Sequence, residues 1–293
     1  MQPEHLLHTW HVDGLALAAR DYAPRIAAGK LPVVCLHGLT RNAKDFDALA
    51  RRLAGQGHRV VVPDTRGRGR SAFDPQPMRY LPQTYVGDVV ALLDGLDIAR
   101  AIFVGTSMGG IVTMGVAALR PALVAAAVLN DVGPEVAPEG LARIAAYAGK
   151  PAQIDTWGDA RDYVRRIAGA VFPRFGDDDW MAYARLTFRE DETGTPRFDY
   201  DPAIAEPIKA GRLKADPPLA WALFEALCRD RPVLLLRGAL SDLVSAQIAA
   251  KMQAHAPGLR VAEVPGVGHA PLLDEPAAIA ALDEFLQRTD DIA

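Results

Sequence analysis

The sequence predicts an α/β protein, a mostly parallel sheet with helices on both faces. Three observations carry this. Short apolar runs of the buried-strand kind alternate with amphipathic helical stretches. Those runs are apolar throughout, as in strands covered on both sides. The alternation stops in mid-chain and resumes near the C-terminal end.

A hairpin comes first. Strands over 8–12 and 15–22 flank Asp13-Gly14, a pair that tolerates the positive φ angles of a type I′ turn. After a proline-bounded loop, 33–37 reads as a buried strand. Residues 43–55 carry Phe46, Leu49, Ala50 and Leu53 at helical spacing. A strand at 59–63 precedes a helix at 81–96, whose face is Val86, Val89, Val90 and Leu93. Strand 101–105, helix 108–119 and strand 123–130 follow. The late half supplies strand 232–237, helix 245–255, strand 260–265 and helix 275–288. The rhythm changes over 134–217, where no buried strand is evident and helices are expected near 140–148, 160–169 and 178–186. Ten of the twenty aromatic residues lie there. We expect a core built from 1–133 and 218–293, with 134–217 inserted as a helical cap. Most of its aromatics should pack the cap itself, and a few should line a pocket.

Composition removes several classes of function. Lys and Arg number 32 against 36 Asp and Glu, a net charge of −4 without long like-charge blocks, so neither nucleic acid nor a membrane surface is an expected partner. Two cysteines make no disulfide framework, and Cys35 should pack as a small hydrophobe. Glu4 stands where a secretory signal would be basic, and no stretch reaches the ~20 apolar residues of a membrane span. A cytoplasmic location is expected. Arg66-Gly67-Arg68-Gly69-Arg70 is one isolated pass and fits a tight loop better than an RNA-binding tract. No dinucleotide, phosphate-loop or zinc-protease motif occurs, so no cofactor and no metal is expected. His5, His8 and His11 would alternate faces on a strand.

The chemistry begins at Gly105-Thr106-Ser107-Met108-Gly109. This is G-x-S-x-G between a strand and a helix, a turn so tight that it strains the serine and demands glycine two residues either side. With four serines in the chain, composition alone would yield roughly 0.03 such matches. A serine hydroxyl needs a base. Among seven histidines, His269 lies in the glycine-containing loop after the last strand, where α/β sheets bind ligands. The base needs a carboxylate. Two aspartates stand just past strand ends: Asp242, which we take as the acid, and Asp131, the alternative. An oxyanion would be held by the backbone amides of Met108, at a helix N-terminus, and Leu39, after the 33–37 strand.

Over nearly its full length the chain resembles the α/β-hydrolase superfamily. The resemblance rests on His37-Gly38-Leu39, the loop from Asp64 to Ser71, the elbow from Gly105 to Gly110, Asp242, and Gly268-His269. Within it the chain is similar to small bacterial esterases, enol-lactonases and C–C-bond hydrolases. The resemblance implies an eight-stranded sheet, a helical cap after the sixth strand, a Ser-His-Asp triad in that family's chain order, and no cofactor. Epoxide hydrolases and haloalkane dehalogenases carry aspartate at the elbow, so Ser107 argues against both. We therefore expect a serine hydrolase cleaving a small, largely apolar carboxylic ester or lactone through an acyl-enzyme. The alternatives are C–C-bond hydrolysis or perhydrolysis on the same triad, and a non-catalytic receptor for a small molecule. Homo-oligomerisation stays open.

Overall fold

The computed structural model describes residues 5–26, 28–212 and 216–291. Glu4 and residues 213–215 of the expected insertion lie outside that set.

The chain runs β1 (Leu6–Val12), β2 (Leu15–Tyr22), β3 (Val33–Leu36), α1 (Asp47–Gly55), β4 (Val60–Asp64), α2 (Pro82–Gly95), β5 (Ala101–Thr106), α3 (Met108–Leu119) and β6 (Val124–Asn130). Next come α4 (Pro138–Tyr147), α5 (Trp157–Ala168), α6 (Asp177–Thr187), β7 (Phe188–Glu190), β8 (Pro196–Phe198), α7 (Glu206–Lys209) and α8 (Pro217–Cys228). The chain then returns through β9 (Val233–Gly238), α9 (Ala246–His255), β10 (Arg260–Val264) and α10 (Pro276–Asp290). No helix among the described residues is long and apolar enough to cross a membrane.

The main sheet has eight strands in the order β1-β2-β4-β3-β5-β6-β9-β10. Strand β2 is antiparallel to both of its neighbours, and the remaining pairings are parallel. Parallel pairing requires helical crossovers, and these cover both faces. One face packs Val34, Leu36 and Phe103 under α2, α3, α8 and α9. The other packs Val33, Cys35 and Val104 under α1 and α10. The period of two along each strand thus sorts neighbouring residues to opposite cores. Cys35 is fully buried, and burial raises its thiol pKa.

A hairpin and two helices depart from expectation, the short α7 being one of them. The short hairpin β7–β8 sits inside the stretch read as lacking strands. Each of its strands has three residues, too few for a period-two pattern to stand out. Helix α8 was not foreseen; it is apolar nearly all round, with proline at its start and Asp216 accepting a hydrogen bond from the Leu219 amide. Phe172, Phe175, Trp180 and Tyr183 pack ring on ring, Phe172 stacking on Phe175 at 4.5 Å between centroids.

The Arg66–Arg70 segment is a tight loop after β4, with Arg66 and Arg68 fully buried. Arg66 reaches Asp88 and Asp74 at 2.5–2.7 Å, so a costly buried cation is held by two buried carboxylates. His37 is also buried, and burial lowers its pKa to about 4. It stays neutral and ties two loops together: Nδ1–H donates to Gly38 O at 2.8 Å, and Nε2 accepts from the Thr65 amide at 3.0 Å. The unfolded chain should protonate His37 near pH 6.5, so it binds more protons than the fold between pH 6.5 and 4. Stability from this group is therefore lost as pH falls through that window, by up to about 3 kcal/mol. Asp64, which burial raises to about 6, works in the opposite sense. A His37→Gln variant isolates the histidine: its stability deficit against wild type, measured in urea, should shrink steadily from pH 7 to pH 4. A deficit independent of pH would remove this account.

Candidate active site

Strand β5 ends at Thr106, and Ser107 turns the chain into α3 with φ 51° and ψ −115°. That conformation costs a non-glycine residue of order 1–3 kcal/mol and must be held by its surroundings. The Ser107 amide donates to Asn130 O at 3.0 Å, and Ser107 O accepts from the Gly110 amide at 2.9 Å. Glycine is obligatory two residues either side. A Cβ at Gly105 would lie 2.5 Å from Gly110 N, and one at Gly109 would lie 2.0 Å from Leu36 O. The turn lifts the hydroxyl to the C-terminal edge of the sheet.

His269 arrives in the loop after β10. The Asn130 side chain fixes this loop by donating to Pro271 O at 2.9 Å. The His269 ring is almost wholly enclosed, with Nε2 3.0 Å from Ser107 Oγ and Nδ1 2.9 Å from Asp131 Oδ2. An ionised carboxylate can only accept, so Nδ1 carries the ring proton and Nε2 is free to accept from Ser107.

Asp131 follows β6 directly and has φ 56°, which turns its side chain back across the strand ends. Its Oδ1 accepts from the Gly238 amide at 2.9 Å, and Oδ2 accepts from Ser241 Oγ at 2.6 Å as well as from His269. The carboxylate is fully buried.

A model of the alpha/beta hydrolase family matches residues 33–282. The chain belongs to that family. A 3-hydroxybutyrate-oligomer hydrolase of Cupriavidus necator is 38% identical over 260 residues, covering 86% of this chain and 87% of that one. A 2-(acetamidomethylene)succinate hydrolase of Mesorhizobium japonicum is 30% identical over 235 residues, covering 80% and 79%. Among solved structures, an alpha/beta hydrolase from Novosphingobium aromaticivorans superposes with a TM-score of 0.90 at 46% identity, covering 98% of this chain and 100% of that one.

In this hydrolase the expectation for Asp242 is corrected. Its carboxylate makes no bond to His269 and forms a bidentate pair with Arg143 of α4 instead, at 2.6 and 2.8 Å. The Arg143 guanidinium holds the Asp242 pKa below its ordinary value. The reason is local geometry. Ser241, not Asp242, faces Asp131, and the next residue along the loop therefore points towards α4. The Asp242 carbonyl also accepts from the Gly140 amide at 3.0 Å, so this aspartate fastens α4 to the loop after β9.

Met108 follows Ser107 in the chain and opens α3, so its amide has no partner within the helix. Leu39 lines a cavity of about 80 Å³ beside Ser107 and His269. The cavity wall is mixed: Thr40, Arg41, Asp45, Tyr147 and Tyr183 stand beside Phe46, Ile144, Leu272 and Leu273. Of the ten aromatics in 134–217, Tyr147 and Tyr183 reach this cavity. Arg41 was missed by sequence reasoning. It pairs with Asp45 through two bonds at 2.6–2.8 Å and lies 4.3 Å from the Tyr183 ring centre. Its only sequence signal was a basic residue two positions past Leu39.

Proposed function

We propose that this hydrolase is a serine esterase acting through an acyl-enzyme on Ser107, with His269 as base and Asp131 as the acid. The reading is carried by one observation, the unbroken hydrogen-bond path from Ser107 Oγ through the His269 ring to Asp131. His269 Nε2 takes the Ser107 proton as Oγ attacks the ester carbonyl. The carbonyl oxygen becomes an oxyanion between the Leu39 and Met108 amides, an interaction that strengthens only as charge develops. Asp131 accepts from the Nδ1–H of the resulting imidazolium. His269 then returns its proton to the leaving alkoxide oxygen, and the alcohol departs. Water, deprotonated by the same nitrogen, attacks the acyl-enzyme, and His269 passes that proton to Ser107 Oγ as the acid departs.

The substrate class we favour is a short hydroxyacid ester. The small cavity, with a wall part apolar and part polar, suits a compact acyl group bearing a hydroxyl, and a relative 38% identical is a 3-hydroxybutyrate-oligomer hydrolase. A second reading, hydrolysis of a small dicarboxylic substrate, is favoured by the relative named for 2-(acetamidomethylene)succinate and by two arginines, Arg41 and Arg143, near the cavity. The test is a substrate panel: 3-hydroxybutyrate dimer and trimer, activated esters from acetate to octanoate, lactones, and 2-(acetamidomethylene)succinate. The expected order places the hydroxybutyrate oligomers and short esters first. A fluorophosphonate should label Ser107. Labelling without turnover of any ester would favour the receptor reading and end this one.

A further inference from the structure

Arg68 is fully buried, yet it lacks what its neighbour Arg66 has. No carboxylate among the described residues pairs with it. Its partners are neutral: Nε–H donates to Leu39 O at 2.9 Å, and Nη1 donates to Arg66 O at 2.8 Å and to Tyr85 Oη at 2.9 Å. Nη2 lies 3.8 Å from Met108 Sδ. The rings of Tyr80 and Tyr85 stand 5.6 and 5.0 Å from the guanidinium carbon. A buried cation with no counter-charge is costly to a fold, and neutral acceptors offset only part of that cost. Arg68 therefore destabilises the resting protein unless negative charge arrives nearby.

Two of the four residues its guanidinium contacts, Leu39 and Met108, are those whose amides would receive the oxyanion. By holding the Leu39 carbonyl, Nε sets the plane of the peptide that follows and thus the loop carrying the Leu39 amide. By lying against Met108 Sδ, Nη2 restrains the first residue of α3. The loop that carries Arg68 is itself pinned from the other side: the Gly69 amide donates to Asp199 O at 2.9 Å, and the Asp201 amide donates to Gly67 O at 2.7 Å. The positive field of Arg68 already reaches its surroundings: it opposes the rise that burial imposes on the Tyr80, Tyr85 and Tyr200 hydroxyls, and it adds to the lowering that burial imposes on His37.

We propose that Arg68 is the positioning residue of the oxyanion hole. It aligns the Leu39 and Met108 donors, and its uncompensated charge is matched only when the carbonyl oxygen of the substrate becomes negative. Preorganised charge that finds its counter-charge in the transition state lowers the barrier without tightening substrate binding. The proposal rests on the reading of Ser107 as nucleophile.

The experiment compares wild type with Arg68→Met and Arg68→Lys on a short activated ester. Sites are counted by endpoint fluorophosphonate labelling, so that misfolded protein does not enter the rates. Arg68→Met should lose about a hundredfold in kcat, with KM changed by less than about threefold. Arg68→Lys keeps the charge but loses the fork to Leu39 and Met108, and should lose about tenfold. A structural role would not move the second readout. A trifluoromethyl ketone, labelled with ¹³C at its carbonyl carbon, forms a hemiketal on Ser107, and the ¹³C shift reports the pH at which its oxygen ionises. In Arg68→Met that pH should rise by about two units, the same hundredfold read as an equilibrium. An unchanged ionisation pH and unchanged kcat per labelled site would overturn the proposal. If Arg68→Met does not fold, Arg68→Lys decides: kcat and ionisation pH equal to wild type would overturn it. Absence of ester turnover in wild type, or turnover retained by Ser107→Ala, would instead sink the nucleophile reading beneath it.

Discussion

Asp131→Asn is expected to lower kcat by about 10⁴-fold, while Asp242→Asn should leave it within about tenfold of wild type. The reason lies in which atoms face the carboxylate. Asp131 Oδ2 receives two hydrogens, from Ser241 Oγ and His269 Nδ1, and Oδ1 receives the Gly238 amide. In asparagine the remaining oxygen would stay with the Gly238 amide. The new NH₂ group would then face Ser241 and His269, turning an acceptor into a donor. The ring would respond by moving its proton to Nε2, where it can no longer accept from Ser107. Nucleophile and base would both remain in place, in the wrong protonation state. Asp242→Asn has no such consequence. It loses a charged pair with Arg143 at a partly exposed position, where such pairs contribute about 1 kcal/mol or less. Steady-state kinetics on both variants decides the matter. The reverse outcome, loss at Asp242 alone, would return the acid to the loop after β9.

Ser107→Ala is expected to abolish ester turnover, with a loss of about 10⁶-fold in kcat. The hydroxyl supplies the atom that bonds to the acyl carbon, and among the described residues His269 has no other proton donor at hydrogen-bond distance on that side. What survives would come from the oxyanion donors acting on a water attack, which sets a floor above the uncatalysed rate. Stability should hardly change, within about 0.5 kcal/mol, because the strain at φ 51° belongs to the backbone and alanine inherits it. Retention of activity within tenfold of wild type would refute the acyl-enzyme. The same variant should lose the fluorophosphonate label, which separates a lost nucleophile from an unrelated defect.

The fold was legible because its signals are local. Continuous apolar runs marked β3, β4, β5, β6 and β9, and the spacing of Phe46, Leu49 and Leu53 marked the helical stretch that includes α1. Ser107 was legible for the same reason: the glycines at 105 and 109 answer close contacts within one strand–turn–helix unit. The small hairpin β7–β8 left no such trace, because three-residue strands carry too little pattern. Arg68 read only as part of a tight loop after a strand. Nothing in Arg-Gly-Arg-Gly-Arg says that its second arginine is sealed inside against Leu39 and Met108.

By itself the sequence determined the α/β class, the elbow that presents Ser107, and the loop that brings His269. These depend on short-range sterics and on periodicities of two and 3.6 residues. Only the tertiary structure decided which aspartate meets His269. Asp131 and Asp242 both follow sheet strands, β6 and β9, which are neighbours in the sheet, so their place in the chain does not separate them. The choice turns on a backbone angle at 131, a hydroxyl at 241 and an arginine on α4, brought together across more than a hundred residues of chain. Such a contact has no period and no motif. It exists only once the strands are paired and the helix has docked.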